Sequence, residues 1–249
     1  MRVPRPVATV VTAVAVLAVV AGGAVVAEMV TASRIEADLS GRIDPGIPGS
    51  GPPSVRIGGG PGSRWSGPDT LHSVAIRIEG VERPGLGATA VEAVATDVSV
   101  PRDHAGPLTA EEVTVSVQIT GESLGPALGM RDVLVGAADD PSLAGGPENR
   151  ARVTGTLVGS EVRVSAFVDL VVDDLGARLV PDAPATGPAG FPDGDGELAL
   201  RRTALTLDPH VLPLGVEVQT LTVTGGTITA AGDGGPGTAP LDGLARPDL

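Results

Sequence analysis

The residues of this chain that could do chemistry are few. They are His72, His104 and His210, the carboxylate doublets Asp139–Asp140 and Asp173–Asp174, an acidic run at Asp193, Asp195 and Glu197, and two glycine-rich stretches. A Ser-His-Asp triad is assembled in space, so spacing alone does not exclude one. No G-x-S-x-G elbow occurs, however, and each histidine lies near a Pro, a Gly or a strand end. Paired carboxylates can act as acid and base, but acidic doublets at strand ends usually form solvated turns. In "FPDGDGEL", Asp193, Asp195 and Glu197 have the alternate spacing that can aim oxygens at calcium. That loop lacks the central Gly and the distal bidentate Glu of a calcium site. "GLGATA" (Gly85 to Ala90) matches G-x-G-x-x-A, yet a strand-like segment follows where a dinucleotide fold needs a helix. "GGGPG" (Gly58 to Gly62) has no Lys-Ser/Thr after it and leads to no helix. The reading is a non-catalytic protein with no metal and no cofactor.

Composition narrows the partners. The 249 residues carry a formal charge of −13, and all 17 basic residues are Arg. An acidic chain without a basic run does not suit nucleic acid, because neutralising phosphates needs clustered cations. Cys is absent, which removes disulfides, thiolate metal sites and Cys nucleophiles. Trp65, Phe167 and Phe191 are the only aromatic residues. The apolar mass is Val, Ala, Leu and Ile, which favours strands and aliphatic contact over base or sugar stacking. Trp65 reads either as a membrane contact at headgroup level or as the filling of a core corner. Arg201–Arg202 could meet a lipid phosphate or lie on an exposed turn.

The elements that would position these residues begin with a membrane signal. Residues 7–27 form 21 uncharged, mostly apolar positions, about 31 Å as a helix, which spans a hydrocarbon core. Arg2 and Arg5 precede the run and Glu28 follows it, so the N-terminus is expected in the cytoplasm and the rest outside, single-pass. The alternative is a signal peptide cleaved after "VVA", giving a secreted domain. Residues 28–43 place Met29, Ala32, Ile35 and Leu39 at helical spacing, an amphipathic helix that packs on the domain.

The body then alternates. Val74, Ile76 and Ile78 share one face of a strand, as do Val113, Val115, Val117 and Ile119 of another, and Val164, Val168 and Leu170 of a third. Gly225-Gly226 marks a two-residue hairpin, and a change of phase between Val218 and Leu221 suggests a bulge. Less regular strands are expected at 90–100, 151–158, 176–180 and 197–207. "GESLGPALGMRDVLVG" offers a short, Gly-interrupted helix. The segment 232–249 has no periodicity and reads as a disordered tail. A sheet buried on one face needs a cover. Two packed sheets, or one curved sheet around a helix with a groove, both satisfy that need.

The order of features resembles the LmeA-like phospholipid-binding proteins of actinobacterial envelopes. "VRIGGGP" (Val55 to Pro61) matches the family's opening V-x-I-x-G-x-P motif, and "LPLGVEVQTLTVTGGTITAAG" (Leu212 to Gly232) is similar to its closing hairpin. "VTVSVQITGESLGPALG" looks like its strand leading into a short helix. The resemblance implies an α+β fold in residues 28–231, a long curved antiparallel sheet around an N-terminal helix, akin to tubular lipid-binding domains. It also implies an apolar groove for a phospholipid or other acyl lipid. The groove would be lined by Val74, Ile76, Ile78, Val113, Val115, Val117, Ile119, Val164, Val168 and Leu170. The alternative is a structural or interaction β-domain of the cell envelope in which the same residues close a core.

Overall fold

Alternation of β-branched and polar residues builds most of the molecule. A computed structural model describes residues 30–41, 43, 51–59, 65–67, 69–100, 108–138, 148–159, 161–185, 195–236 and 241–244. The expected membrane span at 7–27 lies outside them. Among the described residues no helix is long and apolar enough to cross a membrane.

Two antiparallel sheets replace the single long one expected. Sheet A, which is curled, runs β1 (Ser54–Ile57), β3 (Thr70–Glu82), β4 (Ala88–Ser99), β5 (Glu112–Ile119), β12 (Thr227–Gly234) and β11 (Thr220–Thr224), with β2 (Trp65–Gly67) also paired to β3. Sheet B runs β10 (Leu205–Thr206), β9 (Gly176–Pro184), β8 (Arg163–Asp173), β7 (Arg150–Leu157) and β6 (Met130–Ala137). The two meet where β11 packs against β6, β7 and β8.

Register sorts the side chains. Ile76, Ala93, Val115 and Gly232 stand opposite one another across four adjacent strands, all on the buried face of sheet A. The other face is wet: Arg77 meets Glu92 at 3.5 Å and donates to Gln118 Oε1 at 3.1 Å. Such exposed pairs contribute at most about 1 kcal/mol. The buried face carries the fold.

Helix α1 (30–41) buries Ala32 and Leu39 on one face, as its spacing predicts. Thr31, Ser33, Arg34, Ala37 and Asp38 stay exposed, so the helix lies on the core; the sheet does not enclose it. Ser40 Oγ donates to Pro53 O at 2.5 Å, and Glu36 Oε1 accepts from Ile57 N at 3.0 Å, fixing the helix to β1. Helix α2 (Gly121–Leu128) is the expected short one, capped by Thr120 and ended by Gly129 in the left-handed region at φ 62°. A Cβ on Gly121 would stand 1.9 Å from Val133 O, so only Gly lets α2 sit this close to β6.

Four expectations need correction. Residues 197–207 are not one strand: α3 (Asp195–Thr203) precedes the two-residue β10. Helix-forming Glu, Leu, Ala and Arg dominate that stretch, and Glu197 pairs with Arg201 one turn on at 2.5 Å. The phase change before Leu221 is not a bulge, because β11 starts only at Thr220 and residues 216–219 approach it as coil. Strand β6, read as part of the helical stretch, begins immediately after Gly129. The segment expected as a disordered tail begins inside β12, and Leu241 and Leu244 are buried in the core.

Candidate functional site

The ten aliphatic residues expected to line a groove are all buried. Val74, Ile76 and Ile78 come from β3, Val113, Val115, Val117 and Ile119 from β5, and Val164, Val168 and Leu170 from β8, with Leu170 the most exposed at 6%. They belong to one hydrophobic cluster that both sheets share. None of them lines the cavities described below.

An opening of mixed polarity lies between sheet B and the segment that leads into β11. A cleft of about 460 Å³ is walled on one side by the β8–β9 turn (Asp173 to Ala177) and on the other by Thr206 to Pro209, with Glu217 and Val218 leading into β11. That volume falls within the range of small-molecule sites, about 300–1,000 Å³. Its apolar surface is Leu175, Ala177, Leu207, Pro209 and Val218. Ala177 and Leu207 are themselves buried members of the core cluster, so the cleft opens directly onto it. Leu207 N donates to Ala177 O at 2.9 Å, tying the two walls together. A smaller cavity of about 270 Å³ shares Thr206 and runs along Leu179, Val180 and Pro181. A third, about 360 Å³, is lined by Thr70, Asp97, Ser99, Thr109, Ala110 and Glu111 and is too polar for an acyl chain.

Local chemistry holds the cleft open. Gly232 of β12 faces Glu217 so closely that a Cβ there would stand 2.0 Å from Glu217 O. The absence of a side chain lets residues 216–218 lie flat on sheet A. Upstream, the carbonyls of His210 and Val211 accept from Arg83 Nη2 at 3.2 Å and Nε at 2.9 Å. Arg83 sits in the β3–β4 turn at 2% exposure, and this burial pushes its pKa below the ordinary arginine value. The rim is acidic: Asp173, Asp174, Asp208 and Glu217 are exposed there. Asp173 pairs with Arg178 and accepts from Leu175 N at 2.9 Å, and Asp208 Oδ1 accepts from His210 N at 2.8 Å. These carboxylates shape turns. The cleft offers apolar wall below and a charged, wet rim above.

The remaining candidate residues do not converge. His72 is exposed on β3, His210 is exposed beside the cleft, and His104 lies outside the described residues. So do Asp139, Asp140 and Asp193. Asp195 opens α3, and Glu197 is engaged by Arg201. Among the described residues no group of three or more His, Cys, Asp or Glu is placed to hold a metal ion. Arg201–Arg202 form the exposed last turn of α3. Trp65 belongs to β2, its backbone paired with Leu71. Arg83 and the wall residues Leu175, Leu207, Pro209 and Val218 carried no sequence signal except the apolar run "HVLPLGVEV" after Asp208-Pro209.

No curated protein and no solved structure matches the chain. The family model for LmeA-like phospholipid-binding proteins matches residues 21–233. The chain belongs to that family.

Proposed function

We propose that this member of the family holds one phospholipid or related acyl lipid by its tail and performs no catalysis. The tail enters at the cleft between the β8–β9 turn and residues 206–218. The single observation that carries the reading is the family match over residues 21–233, joined to a cleft whose floor is the aliphatic core. Each CH₂ taken out of water contributes about 0.8 kcal/mol. Ten of them would supply roughly 8 kcal/mol before the cost of ordering the chain. Aliphatic walls suffice for that, which suits a protein almost without aromatics. The acidic rim leaves the headgroup in water. In this reading residues 7–27 hold the domain on the outer face of the cytoplasmic membrane, where it handles envelope lipids.

A second reading has its own support. The ten aliphatic residues close a core, as they would in a structural or interaction β-domain of the envelope.

The two separate by lipid extraction. The full chain is mixed with vesicles containing a self-quenched fluorescent phospholipid. Saturable dequenching at one lipid per chain is expected. Fluorescence that stays quenched at every protein concentration would leave the second reading standing.

A further inference from the structure

We infer that the cleft sorts phospholipids by headgroup: it takes those that end in a primary ammonium and disfavours those of net negative charge. The inference rests on the lipid-holding function proposed above and adds which class of phospholipid is held. Three separate segments build the mouth of the cleft in the same way. Asp174 precedes Leu175 in the β8–β9 turn, Asp208 follows Leu207, and Glu217 precedes Val218, and all six residues line the cleft. Each segment thus supplies an aliphatic side chain and, one residue away, an exposed carboxylate. Asp173 adds a fourth carboxylate, and among the described residues that line the cleft none is a cation.

Neighbouring basic groups leave most of this charge in place. Arg178 pairs with Asp173, and the buried Arg83 gives its fork to the carbonyls of His210 and Val211. The side chains of Asp174 and Glu217 make no hydrogen bond or ion pair among the described residues. A tail laid against Leu175, Leu207 and Val218 brings its headgroup among Asp174, Asp208 and Glu217. Ionised carboxylates only accept hydrogen bonds, and a primary ammonium donates three, each strengthened by the opposite charge. A choline headgroup brings the positive charge without an N–H donor. A glycerol headgroup brings neither, so its phosphodiester meets the carboxylates as a like charge. The order of preference is therefore phosphatidylethanolamine, then phosphatidylcholine, then phosphatidylglycerol. Repulsion of the last contributes to specificity as much as attraction of the first.

The test changes the headgroup and nothing else. The full chain is mixed with phosphatidylcholine vesicles that hold a bilayer quencher and a trace of one phospholipid labelled on its tail. The labelled lipid carries an ethanolamine, choline or glycerol headgroup on identical tails, so the charge of the bilayer stays nearly constant. The protein concentration for half-maximal extraction should be roughly three- to tenfold lower for the ethanolamine lipid than for the glycerol lipid, with choline between. That ratio should narrow as salt is raised. Asp174→Asn with Glu217→Gln should bring it to within about twofold. Glu111 and Glu112 are exposed at the start of β5, away from the cleft. Glu111→Gln with Glu112→Gln removes the same charge from the chain and should leave the ratio unchanged. Equal extraction of the three lipids by the parent chain, a preference for the glycerol lipid, or a preference that survives Asp174→Asn with Glu217→Gln would overturn this inference and leave the lipid-holding function standing. Extraction of none of the three would overturn that function, and this inference with it.

Discussion

Arg83 donates from Nε to the carbonyl of Val211 at 2.9 Å, joining positions 128 residues apart in sequence. The β3–β4 turn thereby fixes the segment that walls the cleft. Removing the guanidinium leaves two carbonyls without this donor in a buried site, at a cost of about 1–3 kcal/mol each. Arg83→Met is therefore expected to lower stability by roughly 2–4 kcal/mol in denaturant melts. Arg83→Lys should recover little of it, because a point-like ammonium cannot serve both carbonyls as a planar fork does. Since burial lowers the Arg83 pKa, the unfolded chain holds that proton more tightly. Stability from this group rises with pH only where arginine titrates, so melts across neutral pH should show no step from it.

Val218 is half-buried on the cleft wall, immediately before β11. Val218→Trp should fill the cleft while the sheets stay intact. The expected result is a melting temperature within a few degrees of the parent and at least a large loss of extracted phospholipid. An unchanged extraction curve would move the lipid elsewhere in the molecule.

Ile76 and Ile119 are 1% and 0% exposed, so each is packed as core. Truncation to Ala should cost about 2–5 kcal/mol, the range for emptying a filled interior site. If these side chains instead faced a lipid-filled groove, the loss measured after delipidation would be far smaller. Equilibrium unfolding of the delipidated chain distinguishes the two.

Gly121 admits no side chain, because a Cβ would stand 1.9 Å from Val133 O, which belongs to the backbone of β6. Gly121→Ala is expected to destabilise the chain by about 1–3 kcal/mol through forced separation of α2 and β6. Gly85→Ala would test strain from a positive φ without a close neighbour, since nothing lies within 4 Å there.

Much of the fold was legible because its strands alternate strictly. Val113, Val115, Val117 and Ile119 announce β5 by themselves, and Gly225-Gly226 announces the β11–β12 hairpin, with φ of 57° and 86°. Strand β6 was hidden because Arg131 and Asp132 break its alternation, and the register shifts between Arg131 and Leu134. Helix α3 was misread because Leu198 and Leu200 mimic a period of two while only Ala199 and Thr203, one turn apart, are buried. The sites are a different case. An aliphatic side chain that lines a groove and one that fills a core have the same sequence pattern, so Val115 or Val168 could not announce which it does. The cleft joins Leu175, Leu207 and Val218, which come together only because β10 pairs with β9 and residues 216–218 lie on Gly232. No local spacing encodes that meeting.

Native mass spectrometry of the full chain, released from detergent after exposure to phospholipid vesicles, tests the lipid-holding claim most directly. The account predicts a species heavier than the bare chain by one phospholipid, depleted by Val218→Trp. A spectrum containing only the bare chain, at lipid concentrations that saturate the vesicle assay, would contradict it.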